Sequence, residues 1–287
     1  MAVAVINELG VNSNKSNKLE GARSVLITSA FMADRVAPGI AQEDGTWPYV
    51  FAAIDPDFAD FFGELVDNHS SFLGKSGGEQ GFLLDMITHV VASKEKVERI
   101  VIATTADSEV EARSLRDLIV RRLRISPRIV AVEVRVFEIS EANHRMMLVC
   151  CIDDRFIEEA MNHVKCIERQ KNKGSDNKDS EICIVAKPGS TLVFAGRIGQ
   201  EIQFGLIDHL VEFVAKSSID TLCAIAHRRT CAAYDFIDCT DENGIADLFS
   251  FKRYIESQCA ASGKEVKVII LVQDEDGFSD PVEKNLL

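Results

Sequence analysis

The stretch "MMLVCCIDDRFIEEAMNHVKCIERQ" (Met146–Gln170) decides how this chain is read. Its first six residues, Met146–Cys151, are uniformly apolar, which suits a strand buried on both faces of a parallel sheet. After Arg155 the period changes. Ile157, Ala160, Met161 and Val164 recur at helical spacing and mark one apolar face. A strand that leads at once into a helix is a βα unit, and open α/β sheets bind their ligands at that turn. The pattern stands earlier in the chain too. "VLITSAFMADR" (Val25–Arg35) aligns with "MLVCCIDDR" (Met147–Arg155), which lays Arg35 over Arg155 at an offset of 120.

Working outward, "FLGKSGG" over "FAGRIGQ" places Gly74 over Gly196, an offset of 122. "LLDMITHVVA" over "LIDHLVEFVA" places Asp85 over Asp208, an offset of 123, and "VERIVIATT" over "IDTLCAIAH" places Thr105 over His227, an offset of 122. "IVAVEVRVF" corresponds to "EVKVIILVQ". Near-constant offsets in one order indicate a tandem duplication of one α/β unit, joined near Ile139–Asn143. The expected units are residues 1–140 and 141–287. Further strands are predicted over Ser24–Ala30, Arg99–Thr104, Arg128–Phe137, Thr191–Ala195, Thr221–Ala226 and Glu265–Gln273. Helices are predicted over 58–68, 81–93, 109–123, 200–217 and 248–262. The polar run Lys171–Ser180, "KNKGSDNKDS", reads as a surface insertion. The expected class is α/β, with mostly parallel sheets flanked by helices.

Composition narrows the function classes. The chain has 287 residues, 46% hydrophobic and 27% charged, so it can bury a sizeable core without disulfides. Its 45 acidic against 32 basic residues give a net charge of −13, which repels phosphate backbones and anionic lipid. Nucleic acid and membrane are not expected partners. No start resembling a signal peptide and no long apolar run is seen, so a cytoplasmic, reducing location is expected. There the eight cysteines, all beyond residue 149, would be thiols or metal ligands.

The chemistry-bearing residues gather in the second half. "GKS" at Gly74–Ser76 is not a phosphate-binding loop, because the glycine required at position 69 is His69. Cys151, Asp153 and Arg155 alternate at the end of a predicted strand and can converge on one side. "AIAHRRTC" adds His227 and Cys231 at the end of another. Two thiolates and an imidazole form a three-ligand set with an open fourth position, which is the pattern of catalytic Zn2+. An Asp–Arg pair beside it suits a hydrogen bond to a metal-bound water. Cys150, Cys166, Cys183 and Cys259 read as packing residues.

The order C-x-D-x-R, A-G, helix, then a strand ending in H with a following C resembles the β-class carbonic anhydrases. The resemblance covers roughly Arg145–Asp235 directly and the first half through the repeat. It implies zinc on Cys151, His227 and Cys231, with Asp153 and Arg155 as the catalytic dyad, and reversible hydration of CO2 to bicarbonate. It also implies a pair of units packed on one chain as an intramolecular pseudo-dimer, open to further homo-oligomerisation. Here the family's G-H-x-x-C-G is Ala226–His227–Arg228–Arg229–Thr230–Cys231–Ala232, and Val193 stands where its R-x-A-G carries arginine. Cys223 and Cys239 are alternative ligands to Cys231. In the first half Phe31, Ala33 and Thr105 fall where Cys151, Asp153 and His227 stand, so that half is expected to hold no metal. Hydrolysis of COS or CS2 at the same metal, or a non-catalytic role as scaffold or sensor, are the alternative readings.

Overall fold

The structure, a computed structural model, describes residues 21–53, 87–92, 94, 96–123, 130–138, 144–171, 181–187, 189–191, 200–228, 240–274 and 276–281. Its strands are β1 (Ser24–Ser29), β2 (Tyr49–Ala53), β3 (Arg99–Thr104), β4 (Ala131–Val136), β5 (Met146–Cys151), β6 (Ile182–Lys187), β7 (Thr221–His227), β8 (Lys267–Asp274) and β9 (Gly277–Ser279). Its helices are α1 (Ala33–Asp44), α2 (Glu109–Leu123), α3 (Asp154–Lys171), α4 (Gln200–Lys216) and α5 (Asp241–Ala261), with 87–92 also helical. One sheet runs β2-β1-β3-β4, and the other runs β6-β5-β7-β8-β9. Every pairing is parallel except β8 with β9. The chain is therefore α/β, its parallel-dominated sheets flanked by helices. Apart from β9, the two sheets share one strand order.

Uninterrupted apolar runs form the central strands. Every residue of β1, β5 and β7 is buried, as expected of strands covered on both faces. One core cluster spans both halves, joining Leu26 and Ile100 to Leu148 and Ile184. A second packs Met147, Val149 and Leu222 against Leu248 and Phe251 of α5. That helix starts ahead of its predicted position because Thr240 and Asn243 form a reciprocal capping box. Edge strands β2 and β6 escape the pattern reading, since apolar runs of five or six residues carry no decisive period. The helix expected over 58–68, residues 192–195 of the Thr191–Ala195 strand, residues 172–180 of the polar run and the join lie outside the described residues. Thr191 itself belongs to a short 3-10 turn.

The registers correct the alignment of the halves. Leu26 pairs with Val50 and Val101, and Leu148 pairs with Ile184 and Cys223. Leu26 and Leu148 thus hold equivalent places, and the strand offset is 122 rather than 120. Ser29, not Phe31, then holds the place of Cys151. At the helix starts, Arg35 and Val36 donate to the Met32 carbonyl as Phe156 and Ile157 donate to that of Asp153. Met32, not Ala33, therefore stands for Asp153. The strand-to-helix turn is one residue shorter in the second half, which slid the Asp–Arg pairs into false register. Thr105 does follow β3 where His227 ends β7.

The halves meet through their edge strands. Val50 N–H donates to the Ile152 carbonyl at 3.2 Å, and Ile184 N–H donates to the Ala30 carbonyl at 2.8 Å. Val50 and Ile184 are equivalent in register, as are Ala30 and Ile152, so the two bonds are reciprocal. Asp34 and Arg35 reinforce the junction. Buried Asp34 accepts from Lys165 Nζ at 2.6 Å and from the Ile182 amide at 3.3 Å, while Arg35 Nε donates to Glu181 Oε1 at 2.7 Å. The Phe31 ring lies edge-on to His144 and tilted against Phe213.

Asp34→Ala should leave the Ile182 amide without its acceptor and lower stability by about 1–3 kcal/mol, read as a lower urea midpoint at unchanged m-value. A second expectation concerns Glu43, whose carboxyl is held down to about 2 by hydrogen bonds from Arg135 and Arg99. Its folded value lies below the unfolded one, so its stabilisation is present above the ordinary carboxylate pKa and is lost as pH falls toward about 2. Urea melts should show Glu43→Gln less stable than wild type near neutral pH, with the gap closing through that acidic window.

Candidate functional site

The C-terminal ends of β5 and β7 lie side by side in one sheet, and they bring Cys151 and His227 together. Cys151 is the last residue of β5 and is buried; His227 is the last of β7 and is 5% exposed. Ile152 then turns the chain, and Asp153 stands immediately before α3. Its Oδ1 accepts the Arg155 backbone amide at 3.1 Å, the bond of a helix N-cap. The Arg155 side chain closes a two-pronged pair on the same carboxylate, Nε to Oδ1 at 2.9 Å and Nη2 to Oδ2 at 2.6 Å. In the first half Met32 occupies the capping place and makes no side-chain cap.

Electrostatics follow from this packing. Burial works to raise the Asp153 pKa, but the Arg155 guanidinium, nearby His227 and the amide bond outweigh it, so the carboxyl lies below its usual range. Burial works to keep His227 neutral, whereas Cys151 and Asp153 favour the imidazolium and raise its pKa on balance. Both ring nitrogens of His227 are buried, and among the described residues the side chain that reaches them is the Cys151 thiol, with no oxygen acceptor bonded to either. A buried imidazole whose near neighbour is a thiol, with no carbonyl or carboxylate accepting from either nitrogen among the described residues, suits a metal ligand. Among the described residues no group of three metal-ligating side chains is found, and Cys231 and Cys239 lie outside them.

Cys223 drops out as an alternative ligand. It lies four residues before His227 on β7, about 13 Å away at the rise of a strand, whereas two ligands of one zinc sit about 4 Å apart. Burial also pushes its thiol up to about 12, so it keeps its proton. Cys150 and Cys183 are likewise buried with raised pKa values, in keeping with packing roles. Cys166 is exposed, contrary to its reading as a packing residue, because it falls on the solvent side of α3. Asp34 and Arg35 are no remnant of the dyad, since their partners are Lys165 and Glu181.

Three supporting residues escaped the sequence reading. Phe156 stacks on the His227 ring, with centroids 4.2 Å apart and planes 18° from parallel, and the Arg155 guanidinium lies over its ring at 5.1 Å. Gln273 is paired with His227 in register, its carbonyl accepts the Arg228 amide, and its Nε2 donates to Glu159 of α3 at 3.1 Å. Ser190 follows β6 at a left-handed φ of 58° and donates its hydroxyl to the Val149 carbonyl. Only the polar interruption of an apolar strand could have marked Gln273. No family model matches the chain, and no curated protein matches it.

Proposed function

We propose that the chain is a zinc-dependent carbonic anhydrase of β-class type. Residues 141–287 would carry one site, and residues 1–140 would be its metal-free partner in an intramolecular pseudo-dimer. The observation that carries this reading is the His227 imidazole. Both of its nitrogens are buried, with the Cys151 thiol as the side chain that reaches them among the described residues, next to the helix-capping, ion-paired Asp153. Zinc held by Cys151, His227 and Cys231 would supply the Lewis acidity that makes water a nucleophile near neutral pH.

The chain's own residues do the rest. Arg155 and the start of α3 keep Asp153 ionised, so its carboxylate can accept the nucleophile's proton and aim the oxygen lone pair at the CO2 carbon. Phe156 holds the plane of His227, and Gln273 ties α3 to the strand beside it. In the first half Ser29, Met32 and Thr105 hold the corresponding places and cannot reproduce this chemistry. The six described cysteines are free thiols. Among the described residues no helix is long and apolar enough to cross a membrane.

Metal analysis combined with stopped-flow CO2 hydration tests the proposal. Wild type should carry one zinc and be active, and Cys151→Ser should lose the metal. Asp153→Asn should keep the zinc and lose activity by about 10²-fold or more. Absence of zinc, two zinc ions per chain, or a loaded protein inactive between about pH 6 and 9 would overturn it. Sulfide release from COS or CS2 without CO2 hydration would reassign the substrate.

A further inference from the structure

Strand β4 closes the first sheet, and among the described residues nothing pairs with its outer edge. The burial pattern agrees, because its two end residues are exposed and the four between are half-buried. The second sheet treats the same slot differently. There β8, in the place of β4, is covered by antiparallel β9 through Val272–Ser279, Gln273–Phe278 and Asp274–Gly277. An uncovered strand edge is a template for another strand.

We propose that β4 joins two copies of this chain, pairing antiparallel with β4 of the second copy about a twofold axis at Val134. The sequence "AVEVRV" (Ala131–Val136) is self-complementary in that register alone. With the axis at Val134, Glu133 faces Arg135 of the second copy on one face of the sheet, and Val132 faces Val136 on the other. An axis at Glu133 sets carboxylate against carboxylate, and one at Arg135 sets guanidinium against guanidinium; like charges directly opposite destabilise a pair. The charges are already held in place. Arg135 bonds Glu43 and Glu133, so the added pairs extend a preformed network. The two large apolar side chains left exposed among the described residues, Val136 at 44% and Val110 at 73%, both lie at the end of the sheet where β3 and β4 finish. The closed pair would leave no free β4 edge, in keeping with an isologous dimer.

Sedimentation velocity of the full chain at micromolar concentration should show a dimer. Glu133→Arg, which opposes two guanidinium groups across the axis, should weaken association by at least about tenfold, and the double swap E133R/R135E should restore it. Because either variant could also disturb the fold, a crosslink reads the axis independently. In a Cys166→Ser background, Val134→Cys should form a reducible dimer, since opposed Cα atoms in an antiparallel pair lie within disulfide range. Val132→Cys, displaced from the axis, should not. A monomeric wild type, a dimer indifferent to E133R, or crosslinking no greater at position 134 than at 132 would each overturn the proposal.

Discussion

The carbonyl of Ile152 accepts the amide of Val50, and the carbonyl of Ala30 accepts that of Ile184. These two bonds lie just past the central strands, where a parallel sheet ends and a helix begins. A buried carbonyl or amide there cannot turn to water, and leaving one unmet costs about 1–3 kcal/mol. Each half therefore completes the backbone of the other. The consequence is sharpest at Ile152, which sits between Cys151 and Asp153. Strand β2 of the first half thereby fixes the peptide that separates the thiol from the carboxylate. The first half thereby helps set the spacing between Cys151 and Asp153 in the second.

Around that fixed peptide three elements converge. Strand β5 contributes Cys151, β7 contributes His227, and the start of α3 contributes Asp153 with its guanidinium partner. Burial raises the energy of every charge placed there, so each charged form needs a specific compensation. Asp153 obtains it from Arg155 and a backbone amide, whereas His227 has the Cys151 thiol and the nearby Asp153 carboxylate. Aromatic stacking fixes the ring plane without satisfying either nitrogen, because Phe156 offers a face and no acceptor. The ring is thus held in a fixed plane beside a thiol.

The two sheets share an order of strands but have been put to different uses. In the first, the turn after β1 is one residue longer, and its Asp34 and Arg35 bind Lys165 and Glu181 across the junction. In the second, the shorter turn brings an aspartate to the capping place, and an arginine two residues later reaches back to it. The outer edges diverge as well, β8 carrying β9 while β4 stays open among the described residues. Equivalent scaffolds thus place different contacts at the same turn: ion pairs across the junction in one half, a capped helix start beside Cys151 and His227 in the other.

Apolar runs such as Met146–Cys151 and Thr221–His227 mark central strands without any tertiary information, since only burial on both faces tolerates them. The α/β class, and the placing of Cys151, Asp153 and His227 at strand ends, were legible for that reason. Edge strands β2 and β6 were not, because five or six apolar residues beside a loop look alike in a strand and in a short buried turn. Nor could spacing reveal that the halves differ by one residue in a turn, as strand register depends on partners distant in the chain. The exclusion of Cys223, the stacking of Phe156 and the reach of Gln273 toward Glu159 depend on distances between elements that local pattern does not encode. Local sequence set the elements and their chemical groups, because burial and periodicity act within a few residues. Tertiary packing decided which groups meet, because that is settled by pairing between strands far apart along the chain.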